Sequence, residues 1–190
     1  MFSLFRLRRA RGSLDLIVGM AGVRLGERLL QAGAGHPRAF AVLAGKSGLT
    51  GRACAVVDAP AAARPLEAAA AEEGVLVEVI TAQGGLWPFE EGSFDVGLLD
   101  GNALLAASPG ERTQRIRDML RAVRPGGRVL TILGDGRAVA ARLGFATTSA
   151  ATVLRGRELA VGLEMVGFRP VRVLAAREGI LFVEGFRPAA

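Results

Sequence analysis

The chain is poor in the residues that most often carry catalysis or metal binding. It has one cysteine (Cys54), one histidine (His36), one tryptophan (Trp87), one lysine (Lys46) and no tyrosine. A single cysteine excludes a disulfide framework within the chain, and with a single histidine it excludes a zinc site of the cysteine/histidine kind. No metal site is expected. No uncharged apolar run approaches the roughly 18 residues that span a bilayer. The opening MFSLFRLRRAR lacks a following signal-peptide pattern, so a cytoplasmic protein without stable membrane insertion is expected, with a frayed N-terminus.

What is present points to an ordinary globule. The chain has 190 residues, 51% of them hydrophobic and 22% charged, too apolar for intrinsic disorder. This length suits one domain, 1–190, with 1–26 as a short helical lead-in. Net charge is +6, and all but one of the 24 basic residues are arginine. Their only dense cluster is Arg6, Arg8, Arg9 and Arg11; the rest are scattered, with no basic stripe interleaved with aromatics. Nucleic acid is therefore not the expected partner.

Strand-like apolar runs alternate with helical patterns, the signature of a parallel sheet built from βαβ units. Helical periodicity is expected over Leu14 to Val23. Strands are expected over Glu27 to Ala32, Arg52 to Val57, Val75 to Ile80, Phe94 to Leu99 and Arg128 to Leu133. The continuous apolar character of Val75 to Ile80 suggests burial on both faces. Helices are expected from Pro37 to about Gly45 and from Ala61 to Glu73. Another opens at Ser108-Pro109-Gly110-Glu111, a capping-box sequence, and presents Ile116, Met119, Leu120 and Val123 as one stripe before Pro125-Gly126-Gly127 turns the chain. Leu159, Leu163 and Val166 share a face of the last helix. Arg169 to Leu174 and Ile180 to Phe186, joined by a turn at Ala176 to Gly179, must run antiparallel. The sum is a mainly parallel α/β sheet with one antiparallel strand near an edge.

Three segments carry a resemblance: LLQAGAG (Leu29 to Gly35), WPFEEGSFDVGLL (Trp87 to Leu99) and MLRAVRPGGRVLTI (Met119 to Ile132). In this order and spacing they resemble the class I S-adenosylmethionine-dependent methyltransferases, of the type 11-like kind, and the closing FRPVRVLAAREGILFVEGF is similar to that family's last two strands. The resemblance implies a Rossmann-like methyltransferase fold, a seven-stranded sheet with helices on both faces. It implies S-adenosylmethionine as cofactor, S-adenosylhomocysteine as product, and a small-molecule acceptor.

By that resemblance the cofactor-binding positions are Gln31, Gly33, Gly35, Asp58, Gln83 and Gly84. Glycines at the end of strand one let backbone approach a ligand closely, at the positive end of the next helix. Asp58, ending strand two, is placed to accept both hydrogen bonds of a ribose diol; a turn or helix-cap aspartate is the plain alternative. Gln83 has the donors and acceptors to read adenine, or is a surface-loop residue. Trp87 is an apolar wall beside adenine or a core residue.

Two positions depart from the pattern. Gln31 stands where the family usually carries an acid that holds the methionine end, and Pro37 stands at the third glycine of the loop. The methionine half of the site is therefore read as eroded. Asp100, in LLDGNALL, is the candidate catalytic residue, taking or orienting an acceptor proton; a turn aspartate before Gly101 is the alternative. His36 is read as a turn residue kept neutral by the helix end. The box of amino-group methyltransferases is absent. Two functions stay open: an active methyltransferase, or a catalytically inactive methyltransferase-like binding or scaffold protein. With so short a lead-in, a homodimer or partner subunit is the expected source of any lid. A nicotinamide dinucleotide enzyme is disfavoured, since the glycine motif is incomplete.

Overall fold

A computed structural model describes residues 2–82, 86–134, 150–177 and 179–189, with side chains of 2–11 and 175–177 outside the description. In chain order the elements are α1 (Phe2–Ala21), β1 (Arg28–Ala32), α2 (Pro37–Ser47), β2 (Arg52–Val57), α3 (Pro60–Glu73), β3 (Glu78–Thr81), β4 (Phe94–Asp100), α4 (Gly101–Ala106), α5 (Pro109–Ala122), β5 (Val123–Leu133), α6 (Ala150–Val166), β6 (Val171–Arg177) and β7 (Ile180–Phe186).

The seven strands lie in the order β3-β2-β1-β4-β5-β7-β6. All neighbouring pairs are parallel except those of β7, which runs antiparallel to both β5 and β6. The mainly parallel sheet with one reversed strand is thus present. Alternation along β1 sends Leu29 to one face and Leu30 to the other. Under the first face pack α1, α2 and α3 through Ile17, Phe40, Leu43 and Leu66. Under the second pack α5 and α6 through Ile116, Met119, Leu159 and Leu163. Val166, expected with the last two, is only half-buried.

Four sequence expectations need correction. β3 is not buried on both faces: among the described residues it is the outermost strand and pairs only with β2, and its residues are exposed or half-buried. A run of β-branched residues reports a pleated surface, not the number of neighbours it will find. The α5 helix stops at Ala122, and Val123 already pairs with Phe94 in β5. Pro125-Gly126-Gly127 is therefore a bulge inside a strand, where the register jumps from Val123 to Arg128. The helix can end early because Arg187 donates to the carbonyls of Leu120, Arg121 and Val123 at 3.0–3.1 Å. The N-terminal helix starts at Phe2, not Leu14, and replaces the expected frayed segment; leucine, arginine and alanine in that segment are good helix formers. Finally, α4 had no counterpart in the reading.

Candidate functional site

Strand order reverses between β1 and β4, because β2 and β3 follow on one side of β1 while β4 and β5 follow on the other. In open parallel sheets that reversal leaves a crevice at the carboxyl ends of the strands. The loop leaving β1 is the first wall. Gly33 adopts φ 90°, which an L side chain resists, and its N–H donates to Val56 O at 2.9 Å. His36 follows in a left-handed conformation and its carbonyl accepts from Phe40 N at 3.1 Å, opening α2 with Pro37 in the first turn.

Gln31 holds this loop from beneath. Its side chain is 3% exposed, and its amide Nε2 donates to Gly33 O at 3.1 Å and Gly35 O at 2.9 Å. A carboxylate has no N–H to give and could not make either bond. Gln31 is thus a residue committed to the loop's own shape, and it brings no charge to the crevice.

The acid of this region comes from β4. Asp100 Oδ1 accepts from Asn102 N at 2.9 Å and Ala103 N at 3.1 Å, capping α4. Its other oxygen, Oδ2, lies against the β1 loop: a Cβ placed on Gly35 would stand 2.5 Å from it. Gly35 has an ordinary φ, so the close approach of Asp100 explains this glycine, whereas dihedral freedom explains Gly33. Asp100 is both the turn-capping residue of the plain reading and a carboxylate held against the glycine loop.

At the end of β2, Asp58 leaves 66% of its side chain exposed and pairs with Arg115 of α5, Nη2 to Oδ2, at 2.9 Å. Gly33, Asp58, Trp87, Asp100 and Arg115 line one cleft with apolar floor from Val56, Leu99 and Leu104; the free space within it is about 20 Å³. That is on the order of one water. Sequence reasoning missed Arg115, counting it among the scattered arginines. Gln83 and Gly84 lie outside the described residues.

Trp87 is a core residue whose side chain also lines the cleft. Two polar residues of α5 hold it by its backbone. Arg121 donates from Nη2 to Trp87 O at 2.6 Å and from Nη1 to Phe89 O at 2.5 Å. Asp118, 1% exposed, accepts from Gln114 Nε2 at 3.2 Å and from the Trp87 peptide. Burial pushes the Asp118 carboxyl above its usual range, against those hydrogen bonds and the nearby Arg121. Phe89 then stacks edge-on against Phe94, with centroids 5.0 Å apart. A polar residue beside the Ile116/Met119 stripe was the available sign of Asp118.

Cys54 adds no chemistry: burial, with its contact to Glu78, pushes the thiol up to about 12. It is not a thiolate at neutral pH.

The chemistry of these residues fits the adenosine half that the resemblance implies: a carboxylate after β2, an indole and a glycine turn line one crevice. At the amino-acid end the donor set is altered, with a neutral amide at Gln31 and the carboxylate on Asp100.

The strand order, the reversed β7 and the crevice define the class I S-adenosylmethionine-dependent methyltransferase fold. Solved structures share it: a SAM-dependent methyltransferase from Aquifex aeolicus (TM-score 0.68, 15% identity, 90% of this chain and 88% of that one); a SAM-dependent O-methyltransferase from Thermotoga maritima (0.63, 18%, 94% and 66%); and an arsenic(III) S-adenosylmethionine methyltransferase from Chlamydomonas reinhardtii (0.60, 19%, 89% and 65%). The chain thus spans just under two thirds of the length of the last two. No protein-family model and no curated protein sequence matches it.

Proposed function

We propose that the chain binds S-adenosylmethionine in the β1/β4 crevice and transfers its methyl group to a small-molecule acceptor. The observation that carries this reading is the meeting of Gly33, Gly35, Asp58 and Trp87, from three separate segments, at the reversal of strand order. Bound there, the cofactor supplies an electrophilic methyl group on a sulfonium, so the protein needs to align the acceptor and exclude water more than to activate it. Asp58 takes the two ribose hydroxyls, which requires Arg115 to give up its bond to Oδ2. Trp87 walls the adenine. Asp100 is the carboxylate at the glycine loop, within reach of an ammonium or of an acceptor hydroxyl.

The alternative, a methyltransferase-like binding protein without turnover, is favoured by the Asp58–Arg115 pair across a cleft with so little free space. Titration calorimetry with S-adenosylmethionine and S-adenosylhomocysteine tests the proposal. Binding of both is expected, weakened by at least about tenfold in Asp58→Ala, the loss of one to two hydrogen bonds to a charged group. Absence of heat at millimolar ligand refutes it. Binding of both ligands, with methyl donor never consumed across an acceptor panel, selects the alternative.

A further inference from the structure

The α6 helix is apolar on two opposite sides. Leu159 and Leu163 are buried against the sheet, yet Leu154, Val161 and Met165 stand 69%, 53% and 83% exposed. At about 100° per residue these three fall within about 40° of one another, a straight stripe about 16 Å long. Single exposed leucines need no explanation, but an aligned row on one helix does.

The charges beside the stripe say what fits it. Arg157 and Glu164 lie one heptad apart on the same flank, and neither makes an ion pair among the described residues. Being seven residues apart, they are too distant to pair with each other along the helix. When two identical helices pack antiparallel about a two-fold axis, like flanks meet. Arg157 of one copy then faces Glu164 of the partner subunit, and the reciprocal pair forms at the other end. Glu158, within the stripe itself, is already neutralised by Arg112 from α5 and sits there without an unpaired charge. A flank that is complementary to its own reverse is what a two-fold interface requires.

We propose that the outward face of α6 is a homodimer interface, two copies packing α6 against α6 in antiparallel fashion around Leu154, Val161 and Met165, with two Arg157–Glu164 pairs at its edge. With three apolar side chains and two ion pairs at its edge, the contact is that of a weak, reversible dimer, expected to dissociate in the micromolar range. The face lies on a different helix from the residues lining the crevice, and the interface does not depend on cofactor binding.

Sedimentation velocity from about 1 to 100 µM reads the assembly directly. The wild type is expected to shift from monomer to dimer across that range. Arg157→Glu and Glu164→Arg each place two like-charged pairs at the contact, and each raises the dissociation constant at least about tenfold. Combining both changes restores the opposite-charge pairs, so the double variant dimerises within about threefold of wild type. Met165→Glu abolishes the dimer while leaving the circular dichroism spectrum unchanged, since the side chain is exposed. A wild type that stays monomeric at 100 µM overturns the proposal. So does a dimer whose constant is unmoved by the single reversals, or a double variant no better than either single one.

Discussion

Gln31→Glu is the most informative change in this protein, because the two roles of position 31 predict opposite results. If the position exists to hold the cofactor's ammonium group, an acid should improve binding at no cost to the fold. The structure says otherwise. The Gln31 amide donates to Gly33 O and Gly35 O from a side chain only 3% exposed. A carboxylate keeps the size, loses both N–H donors of Nε2 and puts a lone-pair-bearing oxygen in its place, facing two carbonyls. Gly33 and Gly35 are half-buried, so water can take up part of the lost bonding, and the pair costs about 1–3 kcal/mol at neutral pH.

Protonation of the new acid restores one donor and relieves the repulsion, so its folded pKa must rise above the ordinary value of about 4.3. Stability is then retained below the unfolded pKa and lost as pH rises through the folded one. Urea denaturation of variant and wild type, compared from pH 4.5 to 8, should show a difference that grows with pH. Gln31→Met, which removes the donors without adding charge, should show a smaller and pH-independent loss. A Gln31→Glu protein as stable as wild type at pH 7 refutes the assignment of this side chain to the loop.

Three further outcomes rest on the same geometry. Gly35→Ala drives a methyl group to 2.5 Å from Asp100 Oδ2, so melting should reveal a loss of about 1–3 kcal/mol, and pairing it with Asp100→Ser should recover part of that. Asp95 accepts from Arg28 N and Nε and from Arg124 Nε; although burial acts to raise its pKa, these bonds hold the carboxyl below its usual range. Its contribution is present above the unfolded pKa and disappears as pH falls through the folded one, so Asp95→Asn should lose about 1–3 kcal/mol at pH 7 and little at pH 2.5, followed by urea titration. Asp118 is the opposite case: its folded pKa is raised by burial, stability is lost as pH rises through that value, and Asp118→Asn should flatten the pH profile and hold Trp87 in place. Trp87 is the only tryptophan, so an unshifted emission maximum checks that the wall has stayed where it was; a red shift would show that the charge itself is required.

Composition and pattern determined a good deal of this protein. The alternation of strand and helix, the Ser108 capping box and the hairpin that reverses β7 are local, written within a dozen residues of themselves, and all three are present. The position of Asp58 at the end of β2 was legible for the same reason. Other features were not legible, because their causes lie far away in the chain. That β3 is an edge strand depends on where β4 inserts, and β4 inserts beside β1. That α5 ends before Pro125 depends on Arg187, more than sixty residues later. Position 31 is the sharpest instance. Its sequence neighbours show an amide where an acid is customary, which reads as a loss. Tertiary structure turned that amide inward onto the loop and brought Asp100 across from β4 to the same glycines. Sequence determined which groups the chain possesses. Only the closing of β1 against β4 decided which of them face each other, since hydrogen bonding and charge act across angstroms of space and take no account of distance along the chain.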